Sequence, residues 1–480
     1  MSSPAFINPG APHVIELSFA EIATAVSGEL SDGSDGQRRL PASSVQTDSR
    51  LNTPGSIFFA LRGETTDGHL FAAKAVENGA ALVIAERPLE LDVPQIIVSN
   101  GVAALQALAR FVVASVRDKG DLQVVAVTGS NGKTTTKNML RTILERSGET
   151  VAPQGSFNND VGAPITMLGV TDSTRYLVVE MGADGIGDIA RLQSVVMPDV
   201  GIVLMVGLAH IGKFGDAAAT ARAKSEMVSS LPATATAVLN SDDGRVKAMA
   251  QQTDAKVAFF GLDASAEIWA DDIQATAKGT AFDLHVDDTV VPVQLRILGE
   301  HHVTNALAAI TAARALGVSP TDSVAALESI DRAERWRMEL LEAPGGITVI
   351  NDAYNASPDS MAAALKTLVQ VVGPNNRSVA VLGEIAELGD YANEEHDRIG
   401  RLIVRLNVQK LIVVGHAARH IHNAAGLEGS WDGESVLVDS VEEAYAVLRE
   451  ELREGDVVLV KSSNSAGLRH LGDRIAEVTA

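Results

Sequence analysis

Residues 127–136 read Val-Thr-Gly-Ser-Asn-Gly-Lys-Thr-Thr-Thr and follow directly on the apolar run Leu-Gln-Val-Val-Ala. A β-branched apolar run that enters glycines and leaves as Lys-Thr-Thr-Thr reads as a buried strand, a tight loop and a helix start. Such a unit belongs at the carboxyl edge of a parallel sheet covered by helices. Gly129 and Gly132 can take backbone angles that turn successive N–H groups into one concavity, and the helix opening near Lys133 adds its positive end. The usual phosphate-loop spacing would need a glycine where Val127 stands. The loop is therefore a shorter cradle made of Thr128, Gly129, Ser130, Asn131 and Gly132. Lys133 supplies a point charge for outer phosphates, and the Thr134 hydroxyl suits Mg²⁺. A glycine turn with a surface lysine would not explain Gly-Lys-Thr-Thr between a buried strand and a helix. A nucleoside triphosphate site is expected.

The rest of the chain repeats the strand–helix alternation. Apolar residues make up 46 % of it but aromatics only 4 %, so Ala, Val, Ile and Leu dominate, as in helix-covered parallel sheets. Its 480 residues ask for several domains. Residues 1–118 form a small N-terminal α/β unit, with apolar runs at 56–61, 81–85 and 95–98 and a helix-like stretch at 70–78. Residues 119–330 place strands at 123–127, 176–180, 200–206 and 235–239. They add a period-two stretch at 267–298 and an Ala-rich helix at 303–316 ended by Gly317. Residues 331–480 place strands at 347–351, 378–382, 410–414 and 456–460, with helices at 359–371, 394–406 and 440–453. The expected fold is α/β with three domains. They are a small N-terminal domain, a central P-loop-type parallel sheet with a small antiparallel appendage, and a C-terminal Rossmann-like doubly wound domain. Hinges are expected near 118 and 331.

Composition excludes several functions. The formal charge of −22 argues against nucleic-acid or anionic-membrane partners, because phosphate contacts need a basic face. Without cysteine there is no disulfide, thiolate chemistry or cysteine zinc site. The first Lys or Arg is Arg38, so the charged opening of a secretory signal is missing. The most apolar stretch, 200–209, is about half the length of a membrane span. A cytoplasmic monomer acting on small molecules is expected.

Other residues gain meaning from the phosphate loop. Glu180 ends one expected strand and His210 follows another, so both fall at the carboxyl edge, where open parallel sheets bind ligands. Alone, Glu180 would read as a surface or capping carboxylate and His210 as a satisfied histidine. At a shared edge, Thr134, Glu180 and His210 could face one nucleotide and its metals. Lys224 lies in the helical stretch Ala-Arg-Ala-Lys-Ser-Glu, where its residues read as a solvated face. His301 and Asn305, four apart at the opening of the Ala-rich helix, share a face or else cap it. Arg50 and Arg62 offer planar forks suited to phosphate oxygens but sit in ordinary loop sequence.

A series of segments then occurs in one order: 128–135 (Thr-Gly-Ser-Asn-Gly-Lys-Thr-Thr), 156–164 (Ser-Phe-Asn-Asn-Asp-Val-Gly-Ala-Pro), 180–183 (Glu-Met-Gly-Ala), and Ala209-His210 with Phe214-Gly215. Next come 299–306 (Gly-Glu-His-His-Val-Thr-Asn-Ala), 335–339 (Arg-Trp-Arg-Met-Glu), 351–358 (Asn-Asp-Ala-Tyr-Asn-Ala-Ser-Pro) and 381–389 (Val-Leu-Gly-Glu-Ile-Ala-Glu-Leu-Gly). Across all three units these resemble segments of the Mur ligases and their folylpolyglutamate synthase relatives.

The resemblance implies ATP as substrate, held by the loop, His301 and Asn305, and reached from the third unit by Arg337, Asp352 and Tyr354. It implies Mg²⁺ on Thr134, Glu180, His210 and a carbamylated Lys224, with Lys133, Glu180, His210 and Lys224 as the catalytic set. Ser49, Arg50 and Arg62, with Asn158 and Asn159, would hold a UDP-linked substrate. The implied reaction joins D-alanyl-D-alanine to UDP-N-acetylmuramoyl-tripeptide through an acyl phosphate. A family member adding diaminopimelate or lysine, a folylpolyglutamate synthase and an ATP-gated binding protein stay open. The missing Asp-x-Pro-Arg box in 350–391 favours the dipeptide. Three departures from the family pattern stand out: Met205 in place of Asn, Ser462 in place of Gly, and Arg469 where an acidic residue is common.

Overall fold

The computed structural model describes residues 15–40, 44–63, 65–153, 155–276, 278–330, 334–373, 376–429 and 431–477; the hinge expected near 331 lies outside them. Among these residues three larger sheets follow one another along the chain. The first runs Glu29–Leu30, Gln95–Ile97, Leu82–Ala85, Ile57–Phe59, Val45–Gln46, and is parallel except for its first pair. Its three inner strands fall within two residues of the expected apolar runs.

The central sheet carries the phosphate loop. Its strand Gln123–Thr128 lies between Tyr176–Glu180 and Val200–Val203, all parallel, with Glu180 opposite Val127 and Val203 opposite Thr128. This register brings three carboxyl ends side by side, as the edge argument requires. Val203 ends its strand three residues earlier than expected. Beyond it Leu204 N donates to Thr128 O at 3.0 Å, Ser130 N to Met205 O at 2.9 Å, and Val206 N to Asp243 Oδ2 at 2.7 Å. The glycine loop presents unpaired backbone groups, and residues 204–206 leave the ladder to satisfy some of them.

On its far side the sheet continues through Thr236–Asn240, Lys256–Gly261, Ile268–Thr276, Gly279–Val286 and Thr289–Leu295. The expected antiparallel appendage is thus the end of the same sheet. It joins through the parallel pairs Phe260↔Ile268 and Gly261↔Trp269 and turns antiparallel from Ile268–Thr276 onward. The Ala-rich helix, His301–Ala315, starts two residues earlier than expected. Its buried Ala306, Ala309, Ala312 and Ala313 share one core with Leu140, Ile143 and Leu144 of the phosphate-loop helix Lys133–Leu144. Small side chains allow the close helix approach that brings Asn305 to the loop.

The helix Gly101–Lys119 joins the first two units. Leu105, Leu108 and Val112 lie in a core cluster that also holds Ile22, Leu82 and Ile96 of the first unit and Met167, Leu177 and Val179 of the second. Arg117 pairs with Asp199 at 2.6 Å, and Arg110 donates to Ser194 O at 2.9 Å. Residue 118, where a hinge was expected, is in the last turn of this doubly packed helix. The third sheet runs Glu339–Ala343, Ile347–Asn351, Val457–Lys461, Ser378–Leu382, Lys410–Val414, Glu434–Val438, and only the first pair is antiparallel. No helix among the described residues is long and apolar enough to cross a membrane.

Candidate active site

The loop after Gln123–Thr128 is shaped by Gly132, which caps the following helix at φ +86. Its missing side chain also has a spatial reason, since a Cβ there would lie 2.3 Å from Asn305 Oδ1. Lys133 Nζ bends over the loop and donates to Gly129 O at 2.7 Å. Burial lowers the Lys133 ammonium from its usual range, partly countered by Glu180. Thr134 Oγ1 donates to Glu180 Oε2 at 3.0 Å, and Asn158 Nδ2 donates to Glu180 Oε1 at 2.8 Å. Glu180 is only 1 % exposed, yet both carboxylate oxygens are satisfied.

Lys224 is not solvated as its sequence neighbourhood suggests. It lies buried on the helix Ala217–Ser229, opened by Asp216, whose Oδ1 accepts from Ala219 N at 2.6 Å. Burial, and then the neighbouring Lys133 cation, push its amine well below the usual lysine range. The helix turns this residue toward a polar cleft, which hydrophobic patterning does not mark.

His210 follows at the end of residues 204–210 in a left-handed conformation, φ 60 and ψ 21. Its Nδ1 makes a short contact with Glu387 Oε2 of the third unit, while Asp184 Oδ1 of the central unit is 3.9 Å away. Lys213 bridges Asp184 and Glu387, at 2.9 Å to each. Burial lowers the imidazole pKa, opposed by Glu387. His210 thus has other hydrogen-bond partners than the Thr134–Glu180 pair, with which it lines one cleft. Among the described residues no three His, Asp or Glu side chains gather into a metal cage.

The opposite wall comes from the third unit. Arg337 stacks over Tyr354 with its guanidinium carbon 4.1 Å from the ring centre, and its Nη2 donates to Ser156 Oγ at 2.9 Å. Its buried Nε has no hydrogen-bond partner among the described residues. Asp352 Oδ2 accepts from the buried Lys461 Nζ at 2.6 Å, and Oδ1 accepts from Met338 N at 3.0 Å. Ser357 Oγ donates to Asn131 Oδ1 of the phosphate loop at 2.9 Å. The His301 and His302 rings lie 4.1 Å apart with their planes tilted by 42°; burial pushes His301 down to about 4 and His302 well below its ordinary value, leaving both imidazoles neutral.

One cleft of about 390 Å³ unites these groups. Ser130, Asn131, Gly132, Lys133, Thr134, Asn158, Asn159, Glu180, His210, Lys224, His301, Asn305, Arg337, Asp352 and Tyr354 all line it. Thr128 and Gly129 do not, and Thr128 Oγ1 is buried without a hydrogen-bond partner among the described residues. Ser49, Arg50 and Arg62 also lie off the lining, in the first unit. There Arg50 pairs with Asp48 at 2.6 Å, Arg62 with Glu86 at 3.2 Å, and Ser49 is buried.

A second cavity of about 450 Å³ adjoins the first and is lined by Asn355, Ser357, Glu387, Ser463, Asn464 and Ser465. The two share Ala209, His210, Tyr354, Asn355, Ala356 and Ser357. Sequence reasoning did not single out Glu387, Asp359 or Lys137 as site residues. Glu387 lies in the quoted 381–389 segment, and Lys137 lies one turn beyond Lys133, but neither has a local pattern that declares its partner.

The departures have local explanations. Met205 Sδ accepts weakly from Asn131 Nδ2 at 3.9 Å. Ser462 is buried, and a Cβ on Gly383 would come within 2.8 Å of its Cβ, so a glycine opposite makes room for the extra side chain. Arg469 stacks on Trp336, 5.1 Å from the ring centre.

A phosphate loop in one sheet, walled by a second doubly wound sheet over a shared cleft that adjoins another cavity, has the form of an enzyme's ligand site. Three family descriptions match in chain order. They are the Mur ligase family catalytic domain over 41–117, the Mur ligase middle domain over 127–313, and the Mur ligase glutamate ligase domain over 336–464. The chain belongs to the Mur ligase family. It is 42 % identical to the UDP-N-acetylmuramoyl-tripeptide–D-alanyl-D-alanine ligase of Mycobacterium bovis, over 96 % of this chain and 98 % of that protein. A crystal structure of MurF from Acinetobacter baumannii superposes with a TM-score of 0.87 at 30 % identity, covering 97 % and 99 % of the two chains. The MurF ligase of Thermotoga maritima in complex with ADP gives 0.78 at 27 % identity, covering 91 % and 97 %.

Proposed function

We propose that this chain joins D-alanyl-D-alanine to UDP-N-acetylmuramoyl-tripeptide with ATP, a step in making peptidoglycan precursors. The observation that carries the reading is the cleft itself. The phosphate loop forms its floor, Arg337, Asp352 and Tyr354 form its opposite wall, and it meets a second cavity at His210 and Tyr354.

A free carboxylate is a poor electrophile because its leaving group would be oxide. Attack by a carboxylate oxygen of the tripeptide on the γ-phosphorus breaks the bond to ADP and yields an acyl phosphate. Attack by the dipeptide nitrogen on the acyl carbon then releases inorganic phosphate, and the nitrogen loses its surplus proton. Lys133 and the loop N–H groups draw negative charge from the phosphates. Asn305 and His301 read the base, and Arg337, held flat on Tyr354, reaches the nucleotide from the third unit. Ser49, Arg50 and Arg62, with Asn158 and Asn159, hold the UDP-linked substrate. The serine- and asparagine-lined second cavity takes the dipeptide. Covering the cleft with the third unit keeps water from the acyl phosphate.

Thr134 and Glu180 are hard oxygen donors, which fits Mg²⁺, an ion that uses one or two carboxylates plus phosphate oxygens and water rather than an all-protein cage. Thr134, Glu180 and His210 would hold it, and when bound it would offset the repulsion between substrate carboxylate and triphosphate. The depressed Lys224 amine favours the neutral form that adds to CO₂. Losing a proton as the N–C bond forms, it would become a carbamate and turn a buried amine beside Lys133 into an anion.

Product mass tests the reading. With ATP and the UDP-tripeptide, the dipeptide should give the ligated product, while D-alanine, lysine or diaminopimelate should not. ATP turnover indifferent to every amine would favour the nucleotide-gated alternative and end this proposal.

A further inference from the structure

Residues 207–212, which carry His210, are held from the third unit at two points. At the first, Asp359 Oδ2 accepts from Leu208 N at 3.1 Å, and a Cβ on Gly207 would meet the same oxygen at 2.3 Å. At the second, Glu387 O accepts from Gly212 N at 2.9 Å, while its carboxylate contacts His210 Nδ1 and pairs with Lys213. A Cβ on Gly212 would fall 2.7 Å from Gly389 N. His210 and Glu387 both keep left-handed backbones, φ 60 and 61, which non-glycine residues hold only where their surroundings impose it.

The central unit alone does not orient the ring. Its own carboxylate, Asp184, stands 3.9 Å from Nδ1, beyond hydrogen-bonding distance. Among the described residues only Glu387 is close enough to take the Nδ1 proton's hydrogen bond, which leaves Nε2 as the ring atom with a free lone pair. Carboxylates behind a functional imidazole fix its tautomer and ring angle in this way. As a partly exposed ion pair Glu387 contributes little to stability, so its effect falls on geometry.

We infer that Asp359 and Glu387 are positioning residues that make the orientation of His210 depend on docking of the third unit. The histidine then takes its working tautomer and angle only when the third unit is seated. The surrounding charges are Asp184, Lys213 and Lys133 from the central unit and Glu387 from the third. None of them supplies a substitute acceptor at Nδ1.

The test compares wild type with Glu387→Ala and Asp359→Ala, using Glu387→Asp as the conservative rescue. In ¹⁵N-histidine protein without nucleotide or metal, long-range ¹H–¹⁵N spectra should show His210 as the Nδ1–H tautomer in wild type. It should shift toward Nε2–H in Glu387→Ala and partly return in Glu387→Asp. In turnover, kcat of Glu387→Ala should fall about 10- to 100-fold. Asp359→Ala should lower kcat in the same direction. KM for the UDP-linked substrate should stay within about twofold in both variants, and thermal midpoints should not move. An unchanged His210 tautomer in Glu387→Ala, or kcat retained within about twofold in either variant, overturns the inference. Should Glu387→Ala fail to fold, Glu387→Leu, which keeps bulk without an acceptor, decides in its place. The turnover arm rests on the ligase reading. A wild-type protein that makes no dipeptide product would overturn that reading alone and leave the tautomer to decide the clamp.

Discussion

Lys137 offers the sharpest quantitative test of how this cleft is supported. Its side chain is fully buried, and Nζ donates to Pro153 O at 2.6 Å and Gly155 O at 3.1 Å. Those bonds hold the segment whose Ser156 touches both Thr134 and Arg337. Burial pushes the ammonium from 10.5 down to about 8, with Glu334 and Glu180 only partly opposing it. At about 1.4 kcal/mol per tenfold change in proton affinity, that fall corresponds to roughly 3 kcal/mol. Below pH 8 the native and unfolded chains both carry the proton. Between pH 8 and 10.5 the unfolded chain keeps it while the native chain releases it, so stability rises with pH across this window and levels off above it. The neutral amine retains two N–H donors for its two carbonyls, so deprotonation strands neither. Titration of ¹³C-labelled lysines should show one signal moving near pH 8 that is absent in Lys137→Met. Urea unfolding read by Trp269 in the central sheet should show wild type gaining about 3 kcal/mol over Lys137→Met from pH 8 to 10.5. A Lys137 signal titrating at pH 10 or above, or parallel stability profiles for the two proteins, would refute the argument.

Three further outcomes follow from the same geometry. Lys133→Ala should lower ligation at least about 100-fold with an unchanged circular dichroism spectrum; normal turnover would remove the proposed cradle. Gly383→Ala should destabilise the third unit by about 1–3 kcal/mol, because the new Cβ meets Ser462. Combining it with Ser462→Gly should restore most of the loss, and an additive double mutant in thermal melts would show the two do not share that space. Asp352→Ala leaves the buried Lys461 ammonium with only the carbonyls of residues 352 and 355. It should cost about 3–5 kcal/mol, and a melting profile matching wild type would count against the pair.

Much of the fold was legible because strands such as those flanking the phosphate loop are nearly unbroken apolar runs ended by a polar residue. Gln123–Thr128 and Tyr176–Glu180 were located to within a residue for that reason. What the runs could not show is how far pairing extends. Residues 204–206 are as apolar as the strand before them, yet Leu204 and Met205 pair with the phosphate loop and Val206 with Asp243, since satisfying backbone groups outweighs propensity there. The appendage was visible as a change of period, but its continuity with the main sheet rests on two residue pairs after the unpredicted strand Lys256–Gly261. Lys224 misled for a related reason. Patterning separates a greasy face from a polar one, and a helix turned toward a polar cleft looks the same as one turned toward water.

The limits are sharpest at His210. Edge reasoning placed it beside the phosphate loop, and the cleft contains it. Its nearest partner, however, comes from 177 residues further along the chain. No periodicity or spacing within the central unit could encode that contact. The sequence does carry a trace of it in Gly207 and Gly212, which flank the histidine. Read locally, two glycines in six residues suggest a flexible turn. In space both sit where a Cβ would strike the third unit, at the Asp359 carboxylate and at the 387–389 backbone. Here glycine marks close approach between two units rather than freedom of motion. The same logic holds at Gly132, where the missing side chain admits Asn305. The contacts between distant segments are therefore recorded partly as side chains that are absent, and that signal can be read only once the distant segment has been placed.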